Sequence, residues 1–172
     1  TITITDEIRT PKDVKFSKTD ISGKELPGAV LVLSSTSGNE LSSFVTEQIK
    51  HYNSMANTLT WTTTDTPVVF TDLPDGDYTL EEIDVPAGYM LAEKISFKII
   101  GGSVYYETST VAEADQNKVD SDTNTVTVVN KVMQLQILKK DENGNPLPGA
   151  DMAITNTEGT SMVGVVAETE IG

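Results

Sequence analysis

Three short stretches of this chain alternate apolar and polar residues, and each ends its apolar row on a reactive side chain. They are Val14-Lys15-Phe16-Ser17-Lys18, Tyr78-Thr79-Leu80-Glu81-Glu82 and Val126-Thr127-Val128-Val129-Asn130. A strand repeats its side-chain direction every two residues, so Val14, Phe16 and Lys18 share one face. Tyr78, Leu80 and Glu82 share another, and Val126, Val128 and Asn130 a third. A lysine, a carboxyl and a carboxamide therefore each continue a row of core residues. Burial of an unpaired polar or charged group is costly, so such groups need partners or a chemical task. In the opposite phase Lys15 and Glu81 face inward instead. Val14 and Phe16, and likewise Tyr78 and Leu80, argue against that phase. Taken singly, Asn130 also reads as a residue that ends a strand in a turn.

The rest of the chain reads as all-β. Its apolar runs are short and rich in Thr, Val and Ile, and turns at Ser22-Gly23, Asp75-Gly76, Gly101-Gly102 and Asn143-Gly144 punctuate them. Ala29–Leu33 is predicted as a strand, and Ile95–Ile100 with Ser103–Tyr106 as a hairpin across two glycines. In Glu40–Asn53, Leu41, Phe44, Val45, Gln48, Ile49 and Tyr52 fall near helical spacing, which predicts a short helix or an ordered insert. Trp61 is expected to open the next strand, with Thr60, Thr62 and Thr64 on its polar side.

Twelve basic against twenty-six acidic residues give a net charge of −14. That charge disfavours nucleic acid and anionic membranes as partners, and no run of residues is apolar and long enough to span a bilayer. With no cysteine, neither a disulfide nor a thiol site exists. The single histidine, His51, leaves no histidine-based triad or metal cluster, and no Gly-rich phosphate loop appears, so no cofactor is expected. Asp120-Ser121-Asp122-Thr123-Asn124 begins like a calcium loop. Thr125 stands where the glycine is needed and Lys131 where the bidentate glutamate is needed, so it reads as an acidic surface loop.

The run Val14–Asp20, followed by Leu26-Pro27-Gly28-Ala29, resembles the opening of a Cna-B domain, also called a SpaA-type pilin domain. Phe70–Glu82 is similar to that family's glutamate strand and continues into Val85-Pro86-Ala87-Gly88-Tyr89, which matches its Pro-x-Gly-Tyr ending. Val126–Lys131 resembles its terminal strand. The resemblance implies an Ig-like β-sandwich of the reverse-Ig, Cna-B type. It also implies an intramolecular isopeptide bond made without any other enzyme, in which Lys18 supplies the amine, Asn130 the carbonyl and Glu82 the catalytic carboxyl. Desolvation disfavours the charged forms of both an amine and a carboxyl. A neutral Lys18 then attacks Asn130, and Glu82 hydrogen-bonds the developing oxyanion and shuttles a proton to the departing ammonia. This is a single turnover, so no enzyme in the ordinary sense is expected.

The chain also repeats itself. Leu135–Asp141 parallels Val14–Asp20, and Leu147-Pro148-Gly149-Ala150 repeats Leu26–Ala29 at the same spacing, which puts Lys139 where Lys18 stands. At the front, Thr1–Glu7 parallels Thr125–Lys131, which puts Asp6 at the Asn130 position. The expected organisation is a terminal strand of a preceding domain, or an extension, over 1–10. A Cna-B-like domain follows over 11–132, and the incomplete start of a second over 133–172. No glutamate or terminal asparagine strand follows Lys139. No signal peptide opens the sequence and no sortase-type signal closes it, so the resemblance implies a piece of a longer, wall-anchored surface protein of a Gram-positive organism.

The function this reading implies is mechanical: an extracellular stalk module of an adhesin or accessory pilin, whose partners are the neighbouring domains. Two alternatives stand beside it. One is a module that binds host extracellular matrix through the 40–64 insert, with Phe44, Tyr52 and Trp61 as its surface. Aromatics exposed there favour binding, and aromatics packed into the sandwich favour a structural part. The other is a spacer in a wall-associated enzyme.

Overall fold

The computed structural model describes residues 11–49, 51–106, 118–133 and 137–149. The chain divides into two compact units, Thr1–Val132 and Met133–Gly172. The expected strand at 1–7, with Asp6, and the segment from Ala150 onward lie outside the described residues.

The first unit is all-β. Its strands are β1 (Asp13–Asp20), β2 (Val30–Ser35), β3 (His51–Asn53), β4 (Thr58–Thr62), β5 (Val68–Thr71), β6 (Gly76–Asp84), β7 (Ile95–Ile100), β8 (Ser103–Tyr106), β9 (Lys118–Asp120) and β10 (Thr125–Asn130). They form a four-stranded sheet ordered β5-β1-β10-β9 and a six-stranded sheet ordered β3-β4-β2-β6-β7-β8. The two are the layers of an Ig-like β-sandwich. Among the described residues every strand pairing is antiparallel except that of β1 with β10, which run parallel with Phe16 opposite Val126 and Lys18 opposite Val128. The first and last of the unit's described strands are therefore neighbours.

The alternation read from the sequence is the alternation of burial. Val14 and Phe16 of β1, Val126 and Val128 of β10, and Tyr78 and Leu80 of β6 are all buried. Phe16 lies at the middle of the core, with its ring centroid 5.2 Å from Phe70, 5.9 Å from Trp61 and 5.9 Å from Phe97. The β7–β8 hairpin turns at Gly101 and Gly102, whose φ values of 57° and 75° suit the mirror-image turn of a two-residue hairpin. The Asp75 carboxylate accepts both of their N–H groups, at 2.7 and 3.0 Å.

The 40–53 segment corrects the helical expectation: it is an ordered insert with one 3₁₀ turn, Ser42–Phe44, followed by β3. The apolar residues that suggested a helix are anchors dropped from a loop. Leu41 and Ile49 are buried, while Phe44 and Tyr52 pack partly buried against the core and Val45 is exposed. Side chains hold the loop's polar backbone instead of a helical ladder. Asn57 donates to the Asn39 carbonyl at 2.6 Å and accepts from the Leu41 N–H at 3.1 Å. Trp61 does not open its strand but is the fourth of the five residues of β4, and Thr64 lies beyond the strand's end.

Truncation of the central ring tests this packing. Phe16→Ala is expected to cost about 3–5 kcal/mol of unfolding free energy, measured by urea denaturation.

Candidate functional site

Three strands bring Lys18, Glu82 and Asn130 together. Each is the last inward-facing residue of its row, with relative exposures of 1, 2 and 0 %. Lys18 and Asn130 lie diagonally on the same face of the parallel β1–β10 pair, since Lys18 is level with Val128 and Asn130 is two residues further on. Glu82 faces them from the other sheet. In the β2–β6 pairing Val30 is opposite Asp84 and Leu31 opposite Glu82, so Ile83 is an extra residue immediately after Glu82. A bulge of this kind bends a strand and re-aims its side chains.

The polar atoms are closely set. Lys18 Nζ is 3.6 Å from Glu82 Oε1 and 3.5 Å from the Thr19 carbonyl. Glu82 Oε2 accepts from Asn130 Nδ2 at 2.7 Å and from the Ala92 N–H at 2.7 Å. Asn130 Nδ2 also donates to the Met90 carbonyl at 2.8 Å. Two buried oxygens, Glu82 Oε1 and Asn130 Oδ1, have no hydrogen-bond partner. Burial draws the Lys18 ammonium below the usual lysine range, against the opposing attraction of Glu82 and then of Glu25 and Asp20. The site thus pairs an amine whose charge is disfavoured with a carboxyl that touches both it and a carboxamide nitrogen.

Glu82 meets the nitrogen of the carboxamide and not its carbonyl oxygen, where the oxyanion role expected from the sequence would put it. The backbone of residues 90–92 accounts for this, because it places an acceptor beside Nδ2 and a donor beside Oε2. Those main-chain groups could not be read from residue types; their one trace in the sequence is the Pro86-Ala87-Gly88-Tyr89 turn.

Glu25 was also missed. Its carboxylate accepts from the Ser17 hydroxyl and from the Lys18 N–H, covering the part of the β1 edge that β5 leaves open beyond Phe16.

In the second unit Lys139 is exposed. Its turn nonetheless repeats that of Lys18 bond for bond. The Leu26 N–H donates to the Lys18 carbonyl at 2.7 Å and the Leu147 N–H to the Lys139 carbonyl at 2.9 Å, while Gly23 and Gly144 each donate to an aspartate carbonyl, of Asp20 and Asp141, at 3.0 Å. Asp20 Oδ1 caps Ser22 and Lys24 as Asp141 Oδ1 caps Asn143 and Asn145. Among the described residues there is no group of three or more metal-binding side chains, and no helix is long and apolar enough to cross a membrane.

Residues 12–113 match the family model of the SpaA prealbumin-like fold domain. The chain belongs to this family. No curated protein matches it. Among solved structures, the chain is similar to the pilus-presented adhesin Cpa, at 30 % identity and a TM-score of 0.43 over 56 % of this chain and 19 % of that one. It is also similar to the pilus adhesin RrgA from Streptococcus pneumoniae, at 24 % identity and a TM-score of 0.48 over 72 % of this chain and 15 % of that one. A third is a C-terminal fragment of the pilus adhesin SpaC from Lactobacillus rhamnosus GG, at 19 % identity and a TM-score of 0.48 over 76 % of this chain and 48 % of that one. The SpaA-type chain thus spans less than a fifth of the Cpa and RrgA chains and about half of the SpaC fragment.

The lowered Lys18 value predicts a pH dependence with a definite sign. In a Glu82→Gln variant burial acts on Lys18 without its counter-charge. The unfolded chain then holds a proton, up to about pH 10.4, that the folded chain has already released. Stability therefore rises with pH through that window. The urea midpoint of Glu82→Gln is expected to climb as the pH rises toward about 10, and that of Glu82→Gln/Lys18→Met to lack the climb.

Proposed function

We propose that the first unit is a load-bearing stalk module of a Gram-positive surface adhesin or accessory pilin, closed by an autocatalytic isopeptide bond between Lys18 and Asn130. The observation that carries this reading is the buried cluster itself, with Glu82 in contact with the Lys18 amine through one oxygen and with the Asn130 carboxamide nitrogen through the other.

The chemistry balances within the cluster. The single proton shared by Lys18 and Glu82 sits on the carboxyl in the reactive state, which leaves the amine a free lone pair. Nζ attacks Cγ of Asn130, and the nitrogen Nδ2 becomes tetrahedral and basic. Its contact with Oε2 then reverses direction: the carboxyl proton passes to Nδ2 as Oε1 takes one from Nζ. The Cγ–Nδ2 bond breaks, ammonia leaves, and Glu82 regains its starting form. Fixed contact between the groups replaces a bimolecular encounter by a high effective concentration.

The topology gives the bond a mechanical meaning. β1 and β10 are parallel neighbours, so tension applied at the two ends of the module shears them lengthwise. With the bond in place, force runs from residue 11 along β1 to Lys18, across to Asn130 and out. Everything between lies inside a closed loop that bears none of it. The loop is roughly 110 residues long, and in the chain-entropy model for disulfides one of about 100 contributes about 4.7 kcal/mol of stability. An amide, unlike a disulfide, is not cleaved by reductants, so that gain is independent of redox conditions.

The alternative of a matrix-binding surface finds no support in the insert's aromatics, since Trp61 is buried and Phe44 and Tyr52 pack against the core. The repeated turn around Lys139 supports a second module beginning at Met133, with Lys139 as its amine. The extracellular, wall-anchored location and the partnership with neighbouring stalk domains follow from the same reading.

Intact mass under denaturing conditions tests the proposal. The parent chain is expected to be lighter than its sequence by one ammonia, and Lys18→Ala and Glu82→Ala to have full mass. Full mass in folded parent protein rules the bond out.

A further inference from the structure

The reactive side chains are supplied by three strands, but the orientation of the carboxamide between them is decided elsewhere. Asn130 Nδ2 has two protons, and both are engaged: one by Glu82 Oε2 at 2.7 Å and one by the Met90 carbonyl at 2.8 Å. Flipping the amide would press Oδ1 against two acceptors, so the nitrogen is held toward Glu82 and the carbonyl oxygen away from it. Met90 acts here through its backbone; the residue as a whole is 52 % exposed. Two residues on, the Ala92 N–H holds Glu82 Oε2 at 2.7 Å. One short loop thus grips both the carboxyl and the leaving group.

That loop is in turn fastened to the residues that follow Asn130. The Met90 N–H donates to the Lys131 carbonyl at 2.8 Å, and Tyr89 pairs with Val132 in an antiparallel bridge. The loop reaches this position through a turn closed by Tyr89 N–H to the Pro86 carbonyl at 3.2 Å, with Gly88 at φ +88°. A left-handed third residue is what a type II turn requires.

We propose that the main chain of Tyr89–Ala92 is the positioning element for the cross-link, and that bond formation waits for this loop to clasp Lys131–Val132. This rests on the Lys18–Asn130 reading above. Asn130 lies directly before the clasp, so seating the strand's exit and orienting the leaving nitrogen are one event. A chain whose last strand has not docked through Val132 presents Lys18 with a freely rotating, hydrated carboxamide, and the reaction stalls. The bond is then made only in modules whose exit is already seated.

Two kinds of variant separate this from a general loss of structure. Met90→Pro removes the N–H that holds Lys131 but keeps the carbonyl, and Tyr89 is already paired in strand fashion, as the residue before a proline prefers. At Gly88 an added Cβ meets no atom within 4 Å, so substitutions there differ only in backbone preference. Gly88→Val opposes the positive φ, and Gly88→Asn tolerates it. The experiment is cell-free synthesis of the full chain, with aliquots quenched in denaturant over time and the fraction lacking one ammonia read by intact mass.

Bond formation in Met90→Pro is expected to slow on the order of 10²-fold, with Gly88→Val also slow and Gly88→Asn close to the parent. In a Lys18→Ala background, which cannot react, the Asn130 side-chain amide protons are expected to exchange slowly by NMR, and Met90→Pro is expected to abolish that protection. If Met90→Pro does not fold in that background, the Gly88 pair decides. Parental rates in folded Met90→Pro or Gly88→Val overturn the positioning role and leave the bond standing. A parent that never loses ammonia overturns both.

Discussion

A lysine desolvated at the end of a core strand is the constraint around which this unit is organised. Hydrocarbon on every side would make an isolated ammonium untenable there, and burial does lower its proton affinity. The compensating charge is Glu82, itself buried, at a distance too long for a good hydrogen bond. A buried ion pair of this quality is a poor source of stability, and deleting one partner leaves the other stranded at a cost of about 3–5 kcal/mol. The proposed condensation with Asn130 would resolve the conflict, because an amide is neutral and the liberated ammonia leaves. The unfavourable electrostatics of the unreacted cluster are, on this account, what drives its chemistry.

The rest of the fold serves that placement. Parallel pairing of β1 with β10 puts the amine beside the carboxamide, and the bulge after Glu82 aims the carboxyl from the facing sheet. The loop at 85–92 closes the site with backbone groups alone. On the proposed stalk reading, the same topology makes the first and last of the described strands the force-bearing pair. One covalent link between them would relieve roughly 110 residues of tension, whatever the strength of their packing. A sandwich so tied needs neither an unusual core nor a disulfide.

Much of this was legible in the sequence because strand periodicity is a strong signal. Val14/Phe16, Tyr78/Leu80 and Val126/Val128 identified the inner face, and Lys18, Glu82 and Asn130 followed from it. The two glycines of the β7–β8 turn located that hairpin. What could not be read depends on main chain or on non-local support. The Met90 carbonyl and the Ala92 N–H have no residue-type signature. Glu25 reaches the edge of β1 only because β5 stops short at Val68. The 40–53 insert misled for a related reason: anchors spaced three and four apart look helical, whereas here Asn39, Asn57 and the β3–β4 pairing organise them.

Single-molecule pulling on a module tethered near Lys12 and Val132 tests the central claim most directly. The account predicts that the parent shows no unfolding step, since the closed loop carries no load. Lys18→Ala is predicted to release nearly its whole length, roughly 110 residues at about 3.3–3.6 Å each. The same full release from the parent would contradict it.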